Sequence, residues 1–270
     1  MLETIKKDRR TKITIMLFAF LTAWWMILYF SGLKENFNNY FFGASYGILA
    51  LLGGIWGLQI ANKWGGVKSV MGKAIILLSL GLLAEEFGQI VFSTYNIFLG
   101  VEIPYPSLAD VGYFGNIPLY ILGIIYLAKA SGIHFTFKKL SSKIQLIFFP
   151  ALMLTLSYLF FLQKYEFDWS NPLRIFLDFG YPMGQAIYIS IALLIYSLSK
   201  NILGGIMKSR ILLLLLAFTA QYLADYNFLL QNSRGTWYNA GYGDYLYLLA
   251  YFIMTLGLLQ LDAVLNKLQH

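Results

Sequence analysis

Eight long apolar stretches divide the chain, and a short polar or basic segment separates each from the next. A helix needs about 20 apolar residues to cross the hydrocarbon core of a bilayer. The pattern therefore predicts eight membrane-spanning helices in a single all-α integral membrane domain covering residues 1–270. The predicted spans are 12–33, 41–61, 74–97, 108–128, 144–163, 172–198, 211–230 and 243–264.

Composition agrees with a membrane protein and narrows the chemistry of any site. Of the 270 residues, 59% are hydrophobic and 12% are charged, and the charged share is about half that of a soluble protein. The absence of cysteine excludes disulfides and Cys-ligated metals. His134 falls in a basic loop and His270 is the last residue of the sequence. No histidine metal site is therefore expected within the spans, and the sequence identifies neither a metal nor a cofactor.

The distribution of Lys and Arg predicts that both termini lie in the cytoplasm. If the N-terminal segment is inside, 16 of the 20 basic residues fall on inner segments, as the positive-inside rule requires. The first span is too long for a signal peptide, and Trp24 and Trp25 occupy the place of a small-residue cleavage site. We expect the cytoplasmic membrane of a prokaryote, with the +7 charge facing anionic lipid rather than nucleic acid.

Three pairs of segments repeat at nearly one offset. They are residues 84–89 and 220–225 at offset 136, 42–47 and 179–184 at offset 137, and 109–113 and 243–247 at offset 134. Because four spans separate the copies, both halves enter the membrane in the same direction. The sequence predicts two parallel four-helix repeats, about 12–130 and 143–265, related by a pseudo-two-fold axis along the membrane normal.

Several polar residues fall inside the predicted spans, where a charge costs at least about 2.5–3.5 kcal/mol at the helix centre. Glu85 and Gln89 are four residues apart and share a helix face, as do Gln221 and Asp225 at the equivalent positions. The acids lie at mid-depth or in the predicted outer half, which favours a polar cavity open to the outside. The candidate ligand-binding residues are Glu85, Glu86, Gln89, Asn116, Asp178, Gln185, Gln221 and Asp225.

Structural roles compete with ligand binding for several of these residues. Ser107 and Asp110 have the spacing of a capping box, and Asp244 occupies the equivalent first turn of the last span. These three are therefore interpreted as helix-capping or rim residues. Arg174 is one turn from Asp178 and is its candidate partner. For Glu85, Glu86 and Asp225, the alternative to a ligand site is an internal hydrogen-bond network.

The segment from Pro106 to Tyr113, read P-S-L-A-D-V-G-Y, resembles a P-S-x-A-D-x-x-Y segment of known signalling proteins. That segment occurs in the multi-spanning N-terminal sensor regions of bacterial and archaeal diguanylate cyclases (GGDEF) and histidine kinases. The resemblance implies a membrane sensing or scaffolding module and supplies no ligand residues. No output domain is expected after residues 266–270, and a sensor of this kind would then act through a protein partner.

These observations favour a membrane receptor or binding module with a polar acidic cavity in the outer half of the bundle. Its ligand would be a small molecule or cation from the outside. A cation- or proton-coupled solute transporter and a structural subunit of a membrane complex remain alternatives. An enzyme is less favoured, because the chain has no G-x-S-x-G, H-E-x-x-H or phosphate-binding lysine motif.

Overall fold

The computed structural model describes residues 8–34, 36–101, 103–132, 140–163, 165–199 and 205–268. Within these ranges the secondary structure is helical, without strands. The α-helices are α1 (Arg9–Ser31), α2 (Phe37–Ser45), α3 (Ile48–Lys63), α4 (Val70–Ser93), α5 (Ala109–Ala130), α6 (Leu140–Ser157), α7 (Pro172–Ser199), α8 (Gly205–Ser233) and α9 (Tyr242–Leu268). A 3₁₀ turn (Gly66–Lys68) precedes α4, and π-helical turns extend α4 over Thr94–Leu99 and α6 over Tyr158–Leu162.

Eight helical segments are long and apolar enough to cross a membrane, with α2 and α3 together forming the second. The predicted number of spans is confirmed, and the chain is a multi-pass membrane protein. The second span begins at Phe37 rather than near residue 41, because the Asn36 side chain accepts the backbone N–H of Asn39 at 3.1 Å and starts the helix. It is also broken at Tyr46–Gly47, a feature that the apolar pattern did not predict.

Six of the spans form a closed ring. Around this ring α3 packs on α4, α4 on α5, α5 on α7, α7 on α8, α8 on α9, and α9 on α3. Helix α1 packs outside the ring against α9, and α6 packs outside it against α7. The side chains that meet inside the ring therefore come from both predicted repeats.

The approach of α4 to α5 is close enough that backbone touches backbone. A Cβ atom at Gly112 would overlap the carbonyl oxygen of Ala84 and would lie 2.6 Å from the backbone nitrogen of Gly88. Small residues allow this approach in membrane helices, where packing rather than the hydrophobic effect holds neighbours together. The contact places Asn116, one turn after Gly112 on α5, against the middle of α4.

Buried polar and apolar residues occupy different levels of the ring. Leu78, Leu214 and Phe218 are fully buried in an apolar core toward the start of α4 and α8. Glu85, Gln89 and Asp225 are buried farther along the same helices, toward the end where α4 and α8 finish. Gln260 is an exception, a buried amide in the second half of α9. The polar level is the part of the molecule that needs a functional or structural explanation.

Candidate functional site

Glu85 is the centre of a buried hydrogen-bond network. Its Oε1 accepts hydrogen bonds from the side-chain amides of Asn116 on α5 and Gln221 on α8, the latter at 3.0 Å. Its Oε2 accepts a hydrogen bond from the hydroxyl of Tyr251 on α9 at 3.1 Å. Glu85 is only 2% exposed. One carboxylate on α4 thus joins three other helices of the ring.

Gln221 connects Glu85 to a second carboxylate. Its Nε2 donates to Glu85 Oε1 and to Asp225 Oδ1, each at 3.0 Å. Asp225 Oδ2 accepts a further hydrogen bond from the hydroxyl of Tyr188 at 2.8 Å. Spacing of four residues puts Gln221 and Asp225 on one face of α8, so a single amide can reach both acids. We call Glu85, Asn116, Gln221, Asp225, Tyr188 and Tyr251 the acidic cluster.

Every donor to the two carboxylates of the acidic cluster is a neutral amide or phenol. The two ion pairs found in the described ranges are Lys63–Asp262 and Arg174–Asp178, and both are outside the cluster. Both carboxylates act as acceptors in the contacts above. Within the described ranges, neutral dipoles surround the two carboxyl groups and no basic side chain forms an ion pair with them.

A second polar layer lies one helical turn beyond Glu85. Gln89 Oε1 accepts hydrogen bonds from the hydroxyls of Tyr113 at 2.9 Å and Tyr46 at 3.2 Å. Its Nε2 donates to the backbone carbonyl of Gly43 at 2.6 Å. The Tyr46 ring also stacks on that of Tyr251, with centroids 6.0 Å apart. Gln89 is therefore joined to the acidic cluster through aromatic residues rather than by direct contact.

Four buried polar atoms of α4, α5 and α7 have no hydrogen-bond partner within the described part of the chain. They are Asn116 Oδ1, Gln185 Oε1, Glu86 Oε2 and Tyr120 Oη. Three of these atoms are pure acceptors, and an unpaired buried polar group costs roughly 1–3 kcal/mol. Most of the unpaired atoms are hydrogen-bond acceptors, so a hydrogen-bond donor or a cation would satisfy them.

Glu86 faces away from the acidic cluster although it is adjacent to Glu85 in sequence. Successive residues on an α-helix point about 100° apart. The Glu86 carboxylate lies against Gly47, at the break between α2 and α3, and leaves no space there for a Cβ atom. The sequence pattern grouped Glu86 with Glu85, but the two side chains lie in different regions of the bundle.

Asp178 also lies outside the acidic cluster, and the structure does not bring it together with Glu85. Its carboxylate accepts the hydroxyls of Tyr105 at 2.8 Å and Tyr165 at 2.7 Å. The predicted partner Arg174 lies 3.7 Å away. Asp178 precedes Tyr188 by ten residues on α7, which is about 15 Å along the helix axis. It lines a surface cavity of about 420 Å³ with Tyr165, Asp168 and Arg174.

Burial and hydrogen bonds shift the pKa values of the side chains in this surface region. Partial burial, and then the hydrogen bond to Asp178, raise the pKa of Tyr165 to about 12. Burial and the same carboxylate raise the pKa of Tyr105 well above its usual value. Hydrogen bonds from the hydroxyl and backbone N–H of Ser170 lower the pKa of Asp168. The two tyrosines therefore remain neutral donors at physiological pH.

The residues assigned to helix caps make backbone contacts. Asp110 Oδ2 accepts the N–H of Ser107 at 2.7 Å, and its Oδ1 accepts the hydroxyl of Tyr181 at 2.7 Å. Asp244 Oδ2 accepts the N–H of Ala240 at 2.7 Å. The Ser107 side chain accepts the N–H of Ala109 at 3.2 Å and does not reach the N–H of Asp110 that a full capping box requires. These contacts fix the loop ahead of each helix.

The structure encloses the acids rather than lining an open cavity with them. Asp225 is 7% exposed and Glu85 less so. Tyr120 packs edge-on against Phe218 at 5.3 Å beneath the acidic cluster, while Tyr46 and Tyr113 cover its other side. The cavity open to the outside that the sequence predicted is therefore closed in this conformation. Access would require these aromatic residues to move.

The tyrosines are the main residues of the site that sequence reasoning missed. Tyr46, Tyr113, Tyr188 and Tyr251 all donate to Gln89, Glu85 or Asp225. Tyrosine in membrane helices is usually found at the interface. Its occurrence in mid-span, together with acids in mid-span, was the available signal, because a buried carboxylate requires donors.

A metal site of the usual kind is not evident in the ranges that the structure describes, since they contain no group of three or more His, Asp or Glu side chains positioned for one. Searches of protein-family models, curated proteins and solved structures found no match to the chain. The similarity of residues 106–113 to signalling proteins stays an expectation. Functional inference therefore rests on the geometry above.

Proposed function

We propose that the protein is a membrane receptor or binding module whose acidic cluster receives a positively charged ligand and which acts through a protein partner. One observation carries the proposal: Glu85 and Asp225 share the amide of Gln221, and every hydrogen bond to either carboxylate from the described residues comes from a neutral donor. Charges within a membrane helix are retained for function by default. A bound cation would neutralise the pair and satisfy the free acceptor on Asn116.

The ligand is proposed to enter from the outside of a prokaryotic cytoplasmic membrane. The excess of basic residues on alternate segments supports an inner N-terminus, which would place the ends of α4 and α8 outward. Buried Gln89, Asn239 and Asp244 lie between the acidic cluster and that end. They supply a polar route, whereas Leu78, Leu214 and Phe218 seal the opposite side with apolar packing.

Two parallel repeats are proposed as the basis of the ring, and matched contacts support them. A Cβ atom at Gly123 would lie 2.7 Å from Cδ2 of Leu78, and one at Gly257 would lie 2.5 Å from Cδ2 of Leu214. These glycines and leucines are equivalent at the offsets found in the sequence. The contacts of α5 with α7 and of α9 with α3 correspond in the same way.

The first property to test is the charge of the ligand, which we expect to be positive. Thermal unfolding of the purified protein should be measured with a panel of small organic ammonium compounds, neutral analogues and carboxylates at constant ionic strength. We expect stabilisation by one or more ammonium compounds, by about 2.7 kcal/mol at one hundred times the dissociation constant. A response only to anions, or to none of the panel, would contradict the proposal.

A cation-coupled transporter is the second candidate, favoured by the parallel arrangement and by buried carboxylates at the junction of the proposed repeats. The compound selected by the unfolding panel distinguishes the two functions when it is followed into proteoliposomes. Saturable uptake that requires Glu85 would decide for transport. Binding without uptake would favour a receptor, for which the P-S-x-A-D-x-x-Y resemblance at residues 106–113 supports a signalling partner.

A further inference from the structure

The break between α2 and α3 interrupts the regular backbone hydrogen bonding of a membrane span. The N–H of Tyr46 still donates to the carbonyl of Phe42 at 3.1 Å, and regular helical bonding resumes with Leu51 N–H to Gly47 O at 3.0 Å. Helix α2 ends at Ser45. The last carbonyls of a helix have no intrahelical partner, and here the side chain of Gln89 takes one of them, that of Gly43.

Glu86 supplies an unpaired carboxylate to the same place. The side chain is more than nine-tenths buried, and its Oε2 has no hydrogen-bond partner within the described ranges. That oxygen lies against Gly47, so closely that any Cβ at this position would overlap it. Gly47 thus forms a cradle for the carboxylate at the centre of the break. The two ion pairs of the described ranges involve other residues.

The charge of Glu86 at the break favours a cation. The end of α2 and the start of α3 carry opposite partial charges where they meet, so the carboxylate of Glu86 supplies the net negative charge at the break. Discontinuous membrane helices bind Na⁺ through backbone carbonyls at their breaks. A single carboxylate with neutral oxygens suits a monovalent ion. Calcium and magnesium prefer several carboxylates, and the described ranges hold no group of three acidic or histidine side chains positioned for a metal.

We propose that the α2–α3 break is a binding site for a small monovalent cation, with Na⁺ held by the Glu86 carboxylate and the backbone carbonyls at the end of α2. Gln89 connects this site to the rest of the bundle, because it takes the carbonyl of Gly43 and accepts the hydroxyls of Tyr46 and Tyr113. The site is independent of the ligand proposed for the acidic cluster.

The test is the thermal unfolding of purified full-length protein titrated with NaCl, with N-methyl-D-glucamine chloride keeping the ionic strength constant and KCl and MgCl₂ run in parallel. We expect a saturable stabilisation by Na⁺. In Glu86→Gln, which keeps the shape of the side chain, the apparent affinity for Na⁺ should fall at least about tenfold, the loss expected for one charge-assisted contact. Gly47→Ala, which fills the cradle, should weaken Na⁺ binding in the same direction.

Controls separate this site from the acidic cluster. The double variant Glu85→Gln, Asp225→Asn should keep the wild-type response to Na⁺ whether or not it binds the organic ligand. The proposal is overturned if wild-type protein shows no saturable response to Na⁺, or if Glu86→Gln and Gly47→Ala both respond like wild type. It is equally overturned if only the double variant loses the response, since the ion would then belong to Glu85 and Asp225.

Discussion

Replacing Gln221 by Leu is expected to destabilise the protein by about 3 kcal/mol or more, because one amide serves two buried carboxylates. The variant removes the donor that Glu85 and Asp225 share at 3.0 Å. Glu85 and Asp225 keep their other donors, but the polar group that lies between the two carboxyl groups is replaced by an apolar one. Unfolding of the purified protein in mild detergent should show a midpoint lowered by roughly 10 °C.

Gln260 provides a matched control for this substitution. It is also a buried glutamine on a ring helix, but its Oε1 has no partner in the described part of the chain. Gln260→Leu removes an unsatisfied group rather than a shared donor, so we expect a change below about 1 kcal/mol or a gain in stability. Equal losses in Gln221→Leu and Gln260→Leu would contradict the bridging role of Gln221.

Gly112→Ala should disrupt the bundle strongly, although it adds only one methyl group. The added Cβ meets the carbonyl of Ala84 and the backbone of Gly88 rather than a flexible side chain. Helices α4 and α5 must therefore separate, at a cost of about 3 kcal/mol. Asn116 would also withdraw from Glu85. Both the unfolding midpoint and binding of any ligand at the acidic cluster should fall.

Gly115 offers the control on the same helix. A Cβ atom there has no neighbouring atom within 4 Å, and alanine is favoured over glycine in a helix by up to about 1 kcal/mol. Gly115→Ala should therefore match or exceed the stability of wild type when both variants are unfolded side by side. A Gly112→Ala protein as stable as Gly115→Ala would show that α4 and α5 do not touch in this way.

The eight spans could be predicted from sequence because each is a long apolar stretch, a local property of the chain. The pairing of Gln221 with Asp225 could also be predicted, since it depends only on helical spacing. The contact of Glu85 with Asn116 could not, because it depends on the α4–α5 approach at Gly112, which no local pattern encodes. The break at Tyr46–Gly47 was missed because glycines in an apolar stretch also occur in unbroken helices.

Asp178 was grouped with Glu85 in the sequence for a different reason. Depth in the membrane was inferred from position along each span, and residues at the outer part of several spans were placed together. Asp178 lies near the start of α7, about 15 Å from Tyr188 along the helix, and there it meets Arg174 and two tyrosines. Two acids in the same half of the membrane can still be too far apart along their helices to share a site.

Native mass spectrometry of gently purified protein tests most directly whether the acidic cluster binds a cationic ligand. Wild type should be compared with Glu85→Gln, Asp225→Asn, and with Asp178→Asn as a control that removes a carboxylate outside the acidic cluster. We predict a small bound cationic mass on wild type and on the Asp178→Asn control, and its loss from the double variant. Identical bound species on all three proteins, or lipid alone on each, would contradict a ligand site at Glu85 and Asp225.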